Sequence, residues 1–112
     1  ATPFGNFFPE YPIGFKKAAD QYDFAAMREW LARMDRYYAF VGKIGAARGD
    51  TGMLDKPGGN IYGEGNVRFG VIKEAMNLMG LHGGDMRAPL KLHMTDDERA
   101  ELKDILRELQ LL

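Results

Sequence analysis

"FAAMREWLARMDRYYAFVGKI", Phe24 to Ile44, is the stretch on which the fold turns. Phe24, Met27, Leu31, Met34, Tyr38 and Val41 recur at alternating steps of three and four, the spacing that lines one side of an α-helix. Asp23 stands just before the first of them, where an acceptor side chain caps a helix. Trp30, Tyr37, Phe40 and Ile44 widen the stripe, while Arg28, Glu29, Asp35 and Arg36 fall mostly on the other side. A stripe this wide calls for burial against more than one neighbour, so Leu31 and Trp30 are expected to be structural residues.

The flanks read as helices too. Pro9 and Pro12 suit a first helical turn, where a missing N–H costs nothing. Phe15, Ala18, Ala19 and Tyr22 give an apolar side against Lys16, Lys17 and Asp20, which predicts a helix from about Glu10 to Asp20. A third helix is expected over Val67 to Met79, with Asn66 as its cap and Gly80 as the residue that ends it. A fourth begins at a capping box, Thr95 followed by Glu98 three residues on. Asp96 and Asp97 put negative charge in its first turn, where the helix dipole favours it. Its buried stripe is Leu102, Ile105, Leu106 and Leu109. No run alternates as a strand does, so the chain reads as all-α, with at most a stub of strand near Thr2 to Phe4.

Between the second and third helices the periodicity dissolves. Gly45 to Gly65 is punctuated by glycines and Pro57 and reads as a long loop. "KPGGNIYGEGN" within it holds a Gly-x-Gly, but no strand precedes it as a dinucleotide fingerprint requires. Asn66 and Arg68 remain the candidates for binding an anion, through free N–H groups at a helix start and the guanidinium charge. Arg48 and Asp50 read as surface residues.

Composition narrows the chemistry. The 112 residues are 46% hydrophobic and 28% charged, with a formal net charge of -1. A chain this near neutrality has no field to gather nucleic acid or anionic lipid. It has no cysteine, so disulfides and thiol chemistry are excluded. His82 and His93 have no third ligand at a metal-like spacing, and neither metal nor cofactor is expected. No catalytic residue can be named. Lys16, Lys17, Lys43, Lys56, Lys73, Lys91 and Lys103 fall on wet helix faces or in loops, unlike the desolvated amine of an imine-forming enzyme. With no signal-peptide pattern and no run long enough to span a membrane, the expected location is cytoplasmic.

One resemblance reaches further. "IKEAMNLMGLHGGDMRAPLKLHMTDDERAELKDIL", Ile72 to Leu106, resembles the C-terminal end of the dihydrodipicolinate synthase/N-acetylneuraminate lyase family. The residues that carry it are Leu81, Gly83, Gly84, Arg87, Pro89, Leu90, Thr95, Asp96, Asp97, Glu98, Arg99, Ala100, Glu101 and Leu102. "GNFFPE", Gly5 to Glu10, resembles that family's exit from the eighth barrel strand, and "YDFAAMREWLARM" its aspartate-led helix beyond the barrel. The chain departs from the pattern at Gly45 to Asn66, which is longer and richer in glycine.

The resemblance implies a (β/α)8 barrel of which residues 1–22 are the end of the last strand and the last barrel helix. Residues 23–112 would be the C-terminal helical extension, with the glycine-rich loop at 45–66. It implies an aldolase, dehydratase or synthase that forms a Schiff base between a lysine and pyruvate or another 2-oxo acid. That lysine would lie upstream of these residues. The expected partners are the rest of the barrel or a homologous subunit in a homo-oligomer, with the 2-oxo acid bound only by the full-length enzyme. The alternative is a stand-alone helical module that binds protein or dimerises.

Overall fold

The computed structural model describes residues 3–48, 67–87 and 92–112, and among them every regular element is helical. A 3-10 helix, Pro3–Asn6, leads into α1 (Glu10–Asp20), α2 (Phe24–Ala47), α3 (Val67–Leu78) and α4 (Asp96–Glu108). The strand stub expected near Thr2 to Phe4 is replaced by the 3-10 helix at Pro3 and Phe4; Thr2 lies outside the described residues. Phe7 and Phe8 both donate their N–H to the Phe4 carbonyl, and Asn6 Nδ2 donates to Pro3 O at 3.0 Å. An isolated strand has no ladder to satisfy its backbone, so local bonds win.

α1 and α2 form a helical hairpin. α1 ends with Tyr22 at φ 52, whose N–H bonds to Ala19 O at 3.1 Å while that of Asp23 bonds to Ala18 O at 2.9 Å. This is the paired bonding of a Schellman end. Asp23 then accepts from Ala26 N at 3.0 Å and starts α2 at once, as expected. So short a connection brings α2 back against α1.

At Gly45, where the sequence predicts the start of a loop, the chain is still helical. α2 continues through Ala47, with Arg48 N bonded to the carbonyls of Ile44 and Gly45, and Gly45 itself buried in the helix. The rest of the expected loop, from residue 49 to Asn66, lies outside the described residues.

α3 and α4 close the structure over α2. Gly80, at φ 77, ends α3: its N–H reaches Asn77 O, and that of Leu81 reaches Met76 O at 2.8 Å. The following turn is pinned back onto α3. Asn77 donates to Gly84 O and accepts from Gly84 N, and Lys73 Nζ donates to Gly83 O at 2.8 Å. Lys73 is thus half-buried and engaged, where a wet helix face was expected. Thr95 caps α4 by accepting from Glu98 N at 3.2 Å.

One core joins the elements. Met34, Tyr37, Phe40 and Ile44 of α2 meet Val67, Val71, Ile72 and Ala75 of α3 and Leu102, Ile105 and Leu106 of α4, with Phe7, Phe8, Tyr11, Met94 and Leu109 around them. The four expected residues of α4, Leu102 to Leu109, are all in it. On α2 the outcome differs from the expectation. Trp30 packs against the core, but Phe24, Leu31 and Tyr38 remain 64%, 45% and 44% exposed. The stripe is wider than one groove can cover, and the side bearing Tyr37, Phe40 and Ile44 buries the larger rings and chains.

Candidate assembly surface

The side of α2 turned away from this core is the surface the structure singles out. Phe24, Leu31 and Tyr38 succeed one another at steps of seven, nearly two turns each, so they lie almost in line along the helix. Ala25, Ala32 and Ala39 repeat at the same step and are exposed, as are Arg28 and Asp35. Three neighbouring charges of α2 are engaged elsewhere. Arg36 pairs with Glu108, and Lys43 with Glu101, both across to α4. Arg33 lies over the Trp30 ring at 4.7 Å and that of Phe8 at 5.5 Å.

Aromatic packing holds one border of the surface in place. Phe4 stands edge-on to Tyr11, Tyr37 and Tyr38, at 5.2, 5.8 and 5.8 Å between ring centres. The Tyr11 and Tyr38 hydroxyls are 3.2 Å apart. Phe4, Tyr11, Pro12, Phe15 and Tyr38 line a shallow hollow of about 220 Å³ there. Burial, reinforced by the neighbouring Tyr38, raises the Tyr37 phenol above its ordinary value, and its hydroxyl has no hydrogen-bond partner among the described residues. Desolvation and then the bond to Tyr11 raise Tyr38 as well.

The residues singled out in the sequence are dispersed. Trp30 is half-buried over α1, so close to Gly14 that a Cβ there would stand 2.3 Å from the ring. Leu31 is on the outer surface of α2. Thr95 and Glu98 open α4, but Glu98 does not complete the capping box. Its carboxylate is taken by Arg48, whose Nη2 lies 2.8 Å from each of its oxygens and also donates to His93 O at 2.9 Å. A charged donor reaching both carboxylate oxygens outcompetes a single backbone N–H. Arg48, expected on the surface, is therefore a half-buried clasp between the end of α2 and the start of α4. Its sequence signal is faint, since its partners lie about fifty residues away.

Of the two anion candidates, Asn66 lies outside the described residues. Arg68 is exposed in the first turn of α3, its guanidinium 4.9 Å from the Phe69 ring. His82 and His93 are both exposed. Lys16, Lys17, Lys43 and Lys103 are exposed too, while Lys56 and Lys91 lie outside the described residues. Among the described residues no group of three or more His, Cys, Asp or Glu side chains is placed to hold a metal, and no helix is long and apolar enough to cross a membrane. What the described residues offer chemically is a helical face with aliphatic and aromatic side chains in line and one charge of each sign. No protein-family model, no curated protein and no solved structure matches the chain.

Proposed function

We propose that this chain is the C-terminal helical part of a Schiff-base lyase acting on pyruvate or a related 2-oxo acid, and that it serves packing and subunit assembly. The observation that carries the assembly role is the line of Phe24, Leu31 and Tyr38, left outside the core into which Met34, Tyr37, Phe40 and Ile44 of the same helix pack. Large apolar side chains aligned in this way mark a contact surface. The lyase identity is supported by the resemblance of Ile72 to Leu106 and of Gly5 to Glu10 to the dihydrodipicolinate synthase/N-acetylneuraminate lyase family. In this reading the imine-forming lysine comes from the barrel upstream, the barrel or a second subunit covers α2, and the enzyme works in the cytoplasm.

Trapping with pyruvate and borohydride tests the identity. The longer protein gains one adduct on a lysine outside these residues, and the 112-residue chain gains no stoichiometric adduct at a single site. One fully labelled lysine within this chain would overturn the assignment.

A second reading, a stand-alone helical interaction module, draws support from the single core shared by all four helices. The intact mass of the native protein separates the two, because a barrel adds roughly 200 residues.

A further inference from the structure

We infer that the outer face of α2 pairs with the same face of a second copy, antiparallel, across a two-fold axis passing between Leu31 and Ala32. This deepens the assembly role proposed above and rests on it, but not on the lyase identity.

The argument is self-complementarity. A two-fold contact sets each residue opposite one equally far on the other side of the axis. Arg28 and Asp35 are equidistant from that point, so each Arg28 meets the second copy's Asp35, and the pair forms twice. Both are exposed and neither has an ion pair among the described residues. By contrast, Arg36, Lys43 and Arg48 are each matched to a glutamate of α4. Glu29 and Arg33 of α2 also have no ion pair among the described residues, but they lie on other sides of the helix, Arg33 over the Trp30 ring, so Arg28 and Asp35 are the pair on this face that a second copy would match.

The apolar residues obey nearly the same symmetry, centred half a residue away on Leu31. Phe24 and Tyr38 stand seven residues either side of Leu31. Pairing therefore lays Phe24 against the second copy's Tyr38, and Leu31 against its own copy. Ala25, Ala32 and Ala39, exposed on the other flank of the charges, add no bulk and let the axes approach to the usual 8–10 Å or so. A parallel pairing would set Arg28 on Arg28 and Asp35 on Asp35, which like-charge repulsion disfavours. α2 is about 36 Å long at the usual rise per residue, so the whole contact fits within it.

The full 112-residue chain tests this by sedimentation equilibrium. Asp35→Arg and Arg28→Asp should each weaken self-association about tenfold or more, as facing like charges do. The double swap, Arg28→Asp with Asp35→Arg, should restore it to near the original strength. Both sites are exposed, and unchanged helical circular dichroism confirms the fold of all three variants. Because the chain has no cysteine, Ala32→Cys offers an independent readout. A thiol beside the axis should cross-link two copies readily under mild oxidation, whereas Ala46→Cys, on the same face but at the far end, should not. A chain that stays monomeric at every concentration, a dimer indifferent to Asp35→Arg, or a double swap no better than the single changes would each overturn the pairing. None of these outcomes alters the pyruvate adduct, so failure of the pairing and failure of the lyase identity remain distinguishable.

Discussion

One terminal nitrogen of Arg48 bonds to both carboxylate oxygens of Glu98, each at 2.8 Å, and to the carbonyl of His93 at 2.9 Å. It fastens the end of α2 to the first turn of α4 and to the segment leading into it. The side chains are 11% and 20% exposed, so the pair lies between the surface and buried regimes. Arg48→Met keeps the stem and removes the donors, and should cost about 1.5–3 kcal/mol, the range for hydrogen bonds to charged groups. Chemical denaturation measures it. A loss under about 0.5 kcal/mol would place the contact among ordinary surface pairs. Thr95→Ala should cost about 0.5–2 kcal/mol through its lost acceptor, read as faster hydrogen exchange at Glu98.

Gly14 and Trp30 offer a test with opposing terms. On helix propensity alone, Gly14→Ala should stabilise by about 1 kcal/mol. The new methyl would stand 2.3 Å from Cζ2 and 2.4 Å from Cε2 of the indole, and such overpacking costs about 1–3 kcal/mol. The second effect should win, because the ring is rigid and is held between α1, Phe8 and Arg33. Trp30 is the only tryptophan, so its emission reports the displacement directly. A more stable variant with unchanged emission would mean that the ring yields at little cost.

The sequence and the structure agree where the determinants are local. Asp23, Thr95 and Gly80 each announce a helix boundary within a few residues, and each acts as expected. α1 begins and ends where its prolines and wet residues indicate. Disagreement begins where a distant residue decides. The apolar pattern of α2 fits two overlapping stripes, and only the packing of α3 and α4 selects the one through Tyr37 and Ile44. Glu98 satisfies the pattern of a capping box, yet Arg48 claims its carboxylate from fifty residues away. The proposed assembly surface is half legible: Phe24, Leu31 and Tyr38 lie in the expected stripe, but periodicity alone makes that stripe one buried side. Arg28 and Asp35, which have no ion pair among the described residues, fall with the wet side in the sequence pattern, because periodicity gives angles and not partners.

Tyr37 makes the fold sensitive to alkali. Its phenol is buried and its pKa is raised above the ordinary 10.0, first by desolvation and then by Tyr38. The neutral form is favoured in the folded state. The stabilisation is therefore fully present below the unfolded value and is lost as pH rises from about 10 towards the folded value. Tyr38 is raised too but remains 44% exposed, so solvent moderates its share. Tyr37→Phe should flatten the loss of stability above pH 10, seen in denaturation midpoints across the alkaline range. It should also be tolerated near neutrality, because the hydroxyl it removes has no hydrogen-bond partner among the described residues. An unchanged alkaline slope would show that another group controls it.

Two helix ends with the same bonding give a reciprocal pair of substitutions. α3 closes on Gly80 at φ 77, and α4 on Gln110 at φ 62, where Gln110 N bonds to Arg107 O and Leu111 N to Leu106 O. A residue with a Cβ pays roughly 1–2 kcal/mol for this left-handed conformation. Glycine avoids that cost but loses about 0.5–1 kcal/mol in backbone entropy on folding. Gln110→Gly should therefore stabilise by about 0.5–1 kcal/mol, since Gln110 is exposed and gives up little packing. Gly80→Ala should destabilise by a similar amount. A Cβ there would meet nothing within 4 Å, so no clash contributes and the change isolates the backbone term. Thermal denaturation of both variants decides the matter. If both shift the midpoint in the same direction, side-chain contacts outside the cap govern these ends and the conformational argument fails.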